Sequence, residues 1–152
     1  MKSDVYYYLL DYGFDNDEID KIEDVSDDIF FTNLLEVRKN IKFLEEKGLD
    51  VNEVIDAINY NPYLLTEKNN RLEAFDDIFY NTLLFNTDEL KKLIIDNPDI
   101  YTASPIELKK IIKYMNDNGM SYKDIKNVFI KTPKVVSYDY DEYPELVKDK
   151  EV

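Results

Sequence analysis

Any chemistry this chain performs is done without histidine or cysteine, because its 152 residues contain neither. That removes the usual proton carrier near neutral pH, the Ser-His and Cys-His nucleophile pairs, and the imidazole and thiolate sets that hold most transition metals. Disulfides are excluded too, so redox compartment is not readable. Carboxylates, amines and phenols remain. A glycosidase-like carboxylate pair is the one hydrolytic arrangement left, yet no acid here lies in a recognisable cleft motif with a geometric partner. The expectation is a non-enzymatic protein with no cofactor and no metal.

The densest acids are DNDEIDKIEDVSDD, Asp15 to Asp28. A calcium loop needs oxygen ligands at alternating positions and glycine at the sixth. Counted from Asp15, Ile19 and Asp20 hold the fifth and sixth places, so the match fails. The run reads as a capped, solvated helix. Its functional alternative is a docking face for a basic protein partner, carried by Asp15, Asp17, Asp20, Asp24, Asp27 and Asp28.

The opposite charge gathers between Pro105 and Lys134. There Lys109, Lys110, Lys113, Lys123, Lys126, Lys131 and Lys134 face only Glu107, Asp117 and Asp124. Lys109 and Lys113 stand one helical turn apart, so both can leave an apolar side made by Ile111, Ile112 and Met115. Exposed lysines are commonly solvent filler; the functional reading is a set of phosphate contacts. Tyrosines form the last group. Tyr6, Tyr7 and Tyr8 cannot all face one core from a helix. Tyr138, Tyr140 and Tyr143 alternate with acids in YDYDEYPEL. Tyr138 and Tyr140 join the docking candidates, since tyrosine offers large contact area at low entropy cost. The same alternation suits a nucleic-acid mimic or a capping tail.

The elements that position these groups follow from three prolines. Pro62, Pro98 and Pro133 stand 36 and 35 residues apart, and the same offsets from each are apolar. Eight before proline are Val54, Leu90 and Ile125; five before, Ala57, Leu93 and Val128; four before, Ile58, Ile94 and Phe129. These offsets make one helix face. After the prolines come the pairs Leu64 and Leu65, Ile100 and Tyr101, Val135 and Val136, then Thr66, Thr102 or Ser137. An eroded copy starts at Gly13, with Ile19 and Ile22 on the face, Asp27 at the proline site, and Ile29 and Phe30 behind it. Erosion of a terminal repeat is expected, because it has one neighbour.

Caps divide each repeat. Asp50 with Glu53, Asn86 with Glu89 and Ser121 with Asp124 are spaced to open short helices of about ten residues. Proline stops each one, and the following apolar pair suits a 3₁₀ turn. Longer helices are predicted at about Asn33–Lys47, Glu67–Tyr80 and Pro105–Asn118, the last opened by Ser104, Pro105 and Glu107. Gly48 and Gly119 close their helices as left-handed caps. Leu84 holds that place in the middle repeat, so its cap must differ.

The prediction is an all-α helical-repeat solenoid of about four units, forming a single domain over 1–152. The units lie near 13–47, 48–83, 84–118 and 119–137, with a tail over 138–152. Long helix, glycine, short helix, proline and apolar pair together resemble the repeat of the mitochondrial transcription termination factor (mTERF) family. The segments EEKGLDVNEVIDAINYNPYLLT and NDNGMSYKDIKNVFIKTPKVVS carry the resemblance best. It implies a curved stack of helix triplets with no catalytic residues, and nucleic-acid binding along a basic groove.

Charge points elsewhere. The chain has two arginines, Arg38 and Arg71, and a net charge of −14. Residues 1–50 carry −8, residues 51–100 carry −6 and residues 101–152 are neutral. A nucleic-acid binder should carry a basic stripe, so a protein-interaction or regulatory role linked to nucleic-acid metabolism is the leading expectation. Direct DNA or RNA binding through the C-terminal lysines and acidic mimicry are the alternatives. The N-terminus has no basic segment followed by an apolar run, and no stretch of membrane-spanning length occurs. The chain is expected to be soluble, cytoplasmic and without membrane contact.

Overall fold

The computed structural model describes residues 2–151, and side chains through Val147. Val152, the last residue of the expected tail, lies outside them. All regular structure among the described residues is helical, and the chain divides into two compact units, Met1–Asn69 and Asn70–Val152. The architecture is the all-α helical repeat expected.

The first unit contains α1 (Asp4–Tyr12), α2 (Asn16–Val25), a 3₁₀ turn (Asp27–Phe31), α3 (Leu34–Glu46), α4 (Val51–Tyr60) and a second 3₁₀ turn (Pro62–Leu65). Both short helices open with a complete capping box. The Asp50 carboxylate accepts the Glu53 N–H at 2.8 Å while Glu53 accepts the Asp50 N–H at 3.0 Å, and Asp15 and Glu18 repeat those bonds on α2. The Asp15 box is the cap the eroded repeat keeps. Ile19, Ile22, Val37, Ile41, Val54, Ile58 and Leu65 fill the core between helices. Asn40, buried on α3, donates its amide to the carbonyls of Leu64 at 3.0 Å and Glu67 at 2.8 Å, fastening α3 to the end of the second 3₁₀ turn.

The second unit takes up α5 (Asn69–Asp77), a π turn (Ile78–Thr82), α6 (Thr87–Asp96), a 3₁₀ turn (Pro98–Tyr101), α7 (Pro105–Asp117), α8 (Tyr122–Lys131) and two 3₁₀ segments, Pro133–Ser137 and Tyr140–Glu151. An aromatic cluster makes its centre. Phe79 meets Phe85 at 5.4 Å and Phe129 at 6.2 Å edge-on, and Phe75 meets Tyr101 likewise at 6.0 Å. Such edge-to-face contacts suit the quadrupoles of the rings. Tyr101 is fully buried and donates its hydroxyl to Asp76 at 2.8 Å.

The corners repeat closely. Asn61, Asn97 and Thr132, each just before proline, adopt φ/ψ of −138/85, −148/87 and −135/75 degrees. Proline forbids the helical region to its predecessor, and the missing N–H ends the ladder. All apolar face positions named from the sequence are buried except Val128, which is half-buried, and the pairs after each proline are buried.

Two expectations need amendment. The fifth helix stops at Asp77 and passes into a π turn, rather than running from Glu67 to Tyr80. Leu84 then adopts φ 56°, the only non-glycine left-handed residue among those described. Its cap differs from the glycine caps in the approach and keeps their handedness. The Phe85 N–H returns to the Phe79 carbonyl at 2.8 Å, six residues back, one residue more than the five-residue Schellman bond that Met120 makes to Met115 around Gly119. Gly48 and Gly119 hold φ 91° and 92° as expected.

Candidate functional site

The lysine cluster is divided by the fold. Lys109, Lys110 and Lys113 project from α7 on the side away from buried Leu108, Ile111, Ile112 and Met115. Lys110 pairs with Glu107 at 3.2 Å and Lys113 with Asp117 at 2.5 Å, both exposed contacts within one helix. Such pairs stabilise little, but they place a carboxylate beside each ammonium. Lys123, Lys131 and Lys134 are exposed on or just after α8.

Lys126 belongs to the structure rather than to that open set. Its ammonium crosses to α6, where it meets Glu89 at 2.8 Å and the Leu84 carbonyl at 3.2 Å, and it lies 5.5 Å from the Phe85 ring centre. The Lys126 hydrogen bond, with that of the Asn86 N–H, holds the Glu89 carboxyl below its usual range. Burial opposes this shift and loses. The partner is 37 residues away, which is why sequence spacing along one helix missed it.

The acidic candidates also divide. Asp15 is the N-cap of α2, so its carboxylate is engaged by the Glu18 N–H. Asp17, Asp20 and Asp24 are exposed on α2, and Asp27 and Asp28 are exposed at the start of the first 3₁₀ turn. No group of acids among the described residues is arranged to hold a metal ion.

The three tail tyrosines do different things. Tyr140 is exposed, with its ring 5.4 Å from that of Tyr143. Tyr143 is buried, its ring tilted against that of Tyr114 of α7 at 5.4 Å, anchoring the tail. Burial raises the Tyr143 phenol, and the Glu107 carboxylate, which shares a hydrogen bond with it, adds to the rise. Tyr138 is half-buried and walls a groove on α8.

That groove belongs to a series the sequence reading did not find. On α2, Glu18, Lys21, Ile22 and Val25 line a groove of about 320 Å³ beside Asn59 of α4. On α6, Glu89, Lys92, Leu93 and Asp96 line one of about 120 Å³ beside Ile130 of α8. On α8, Asp124, Asn127, Val128 and Lys131 line one of about 450 Å³ beside the tail. These sets occupy the same repeat register, and each follows the i, i+3, i+4, i+7 spacing of one helix face.

Among the described residues no helix is long and apolar enough to cross a membrane. A family model described as mTERF matches residues 31–150 of the chain. No curated protein matches it.

Proposed function

The chain belongs to the mTERF family, whose helical-repeat members are associated with nucleic acid, and from that membership we propose a non-enzymatic regulatory module that acts by binding protein. One observation carries this reading. In the region richest in lysine, Lys110, Lys113 and Lys126 each lie against an acid of the same unit, Glu107, Asp117 and Glu89. A phosphate backbone would have to displace those carboxylates, and the net charge of −14 opposes the encounter. The exposed acids Asp17, Asp20 and Asp24 on α2 instead favour a basic protein surface.

Direct DNA or RNA binding is the second reading, favoured by the family and by the exposure of Lys109, Lys110 and Lys113 along α7. A salt titration with fluorescent duplex DNA and single-stranded RNA separates the two. The protein-binding reading expects no submicromolar binding at physiological salt, and a nuclease-treated pull-down whose partner is lost when Asp17, Asp20 and Asp24 become lysine. Tight binding that weakens steeply with salt and disappears in Lys109→Glu/Lys113→Glu/Lys131→Glu would replace it with the nucleic-acid reading. Asp15 and Lys126 stay unchanged throughout, because each holds the fold.

A further inference from the structure

We propose that the groove formed by α1, the end of α2 and the first 3₁₀ turn receives an arginine side chain from a basic partner protein, its guanidinium held by the carboxylates of Glu23 and Asp27 and against the rings of Tyr6 and Phe31. This rests on the reading of the chain as a protein-binding module, and it names the contact and the chemistry of the partner.

Phe31 is the first observation. The 3₁₀ turns that open at Pro62 and Pro98 have four residues each, and each stops at a threonine whose hydroxyl bonds back into the turn. Thr66 donates to the Tyr63 carbonyl at 3.4 Å and Thr102 to the Asp99 carbonyl at 3.2 Å. The first turn has five residues, and Thr32 makes the corresponding bond, to the Asp28 carbonyl at 3.3 Å. Phe31 stands in the added place. Its side chain is 82% exposed, so neither the core nor the cap accounts for a phenyl ring there. A lone exposed aromatic needs no explanation by itself; this one walls a groove.

The groove has a volume of about 430 Å³, and Lys2, Tyr6, Glu23 and Asp27 line it together with Phe31. The turn packs on both α1 and α2, which is what gathers these side chains from separate elements. Glu23 and Asp27 are exposed, and among the described residues neither has an ion-pair partner. Tyr6 is held in place, its hydroxyl donating to Asn16 at 2.8 Å and its ring meeting that of Tyr7 edge-on at 5.4 Å. The Lys2 ammonium lies 4.9 Å from the centre of that ring. The aromatic wall of this groove thus already carries a cation, while its two carboxylates have none.

Charge and shape select the occupant. Two carboxylates against one ammonium repel phosphate, which turns away a nucleic-acid strand or a lipid headgroup. Arginine suits the groove better than lysine, because its planar guanidinium pairs with carboxylates in a two-pronged way, stacks on a ring face and gives up its hydration more readily. A second copy of this chain has two arginines to offer, and both are engaged. Arg38 lies 5.9 Å from the Tyr8 ring centre, and Arg71 donates to the carbonyls of Thr102 and Ala103. A different protein therefore supplies the guest.

The test titrates the full chain with the peptide N-acetyl-Gly-Arg-Gly-amide, followed by amide chemical shifts, beside peptides with lysine or citrulline in place of arginine. Saturable shifts centred on Glu23, Asp27 and Phe31 are expected. Citrulline keeps the shape without the charge and should bind at least about tenfold more weakly, with lysine between the two. Glu23→Gln/Asp27→Asn and, separately, Phe31→Ser should each weaken the arginine peptide at least about threefold. All three side chains are exposed, so these changes leave the core untouched. Lys2→Met should strengthen binding, because a competing ammonium leaves the groove. Absence of saturable shifts overturns the proposal, as do shifts no larger than those at Asp17 and Asp20, equal binding of the lysine or citrulline peptide, indifference to Phe31→Ser, or weaker binding in Lys2→Met. A dimer that Arg38→Gln dissociates would overturn it in favour of a second copy. If the peptide fails while the α2 acids still capture a protein, this groove falls and the protein-binding reading stands. Salt-sensitive DNA binding through Lys109 and Lys113 would sink that reading instead.

Discussion

The side-chain amide of Asn97 donates to the backbone carbonyl of Pro133 at 3.0 Å, joining the corner of one repeat to the corner of the next. The other end of the same amide accepts the Asp99 N–H at 3.2 Å and opens the 3₁₀ turn behind Pro98. Asn97→Ala removes both bonds in a half-buried place. It should destabilise the chain by about 1 to 3 kcal/mol in urea melts, because the Pro133 carbonyl loses a donor. An unchanged midpoint would show that water replaces the amide without cost.

Leu93 sits on the buried face of α6 and Leu64 two residues after Pro62, and both are almost fully buried. Truncating either to alanine should cost about 2 to 5 kcal/mol, the transfer energy of the lost methyl groups together with the cavity left behind. Denaturant melts of Leu93→Ala and Leu64→Ala check this. Losses near zero would remove these positions from the core.

Leu84 and Gly119 occupy the same place in successive repeats with opposite fitness for it. Leucine at φ 56° carries about 1 to 2 kcal/mol of left-handed strain, and its side chain is 70% exposed, so little packing is lost on removal. Leu84→Gly should therefore stabilise the fold by up to about 1 kcal/mol after the added chain entropy is set against the strain. Gly119→Ala should destabilise it by about 1 kcal/mol through backbone strain, since the space around a new Cβ is open. Thermal melts of both variants, moving in opposite directions, form the check.

Glu89 titrates lower in the folded chain than its ordinary value of 4.5, owing first to Lys126. A carboxylate with a depressed folded value contributes stability that is complete above its unfolded value and lost as pH falls through the folded one. The Glu89–Lys126 clasp should thus hold at neutral pH and loosen below about pH 4.5, where Glu89 takes up its proton. Lys126→Met should flatten this part of the acid limb in a pH series of urea melts. At the alkaline end Tyr101 acts with the opposite sign, because burial and Asp76 raise its phenol above the usual 10.0. Stability should decline once pH passes about 10, and Tyr101→Phe should make that decline shallower, the raised phenols of Tyr8, Tyr12 and Tyr143 carrying the rest.

Much of the fold was legible because proline and glycine impose backbone geometry locally. Pro62, Pro98 and Pro133 each end a helix and open a 3₁₀ turn, as any proline in that setting must. The π turn at Ile78–Thr82 was not legible, because only the surrounding aromatic packing distinguishes it from a continued helix. The Asp15–Glu18 box had a visible D-x-x-E signal at the right register, which the acid density around it obscured. For the candidate site, exposure of the α7 lysines followed from spacing. The capture of Lys126 by Glu89 and the grooves on α2 and α6 did not, because each joins helices separated by a whole repeat.

The capping-box acids carry a consequence for how the chain comes apart. Glu18 and Glu89 each close the first turn of their own helix and, through Asn59 and Lys126, grip the following short helix. One carboxylate therefore enters both the intrinsic term of a repeat and the nearest-neighbour term of a one-dimensional lattice. Fraying at the start of α6 releases α8 as well, so melting within that unit should be more concerted than independent helices allow. The rest of each contact surface is apolar and adaptable, whereas this link is tied to one atom pair and makes the boundary between repeats the place where cooperativity is set.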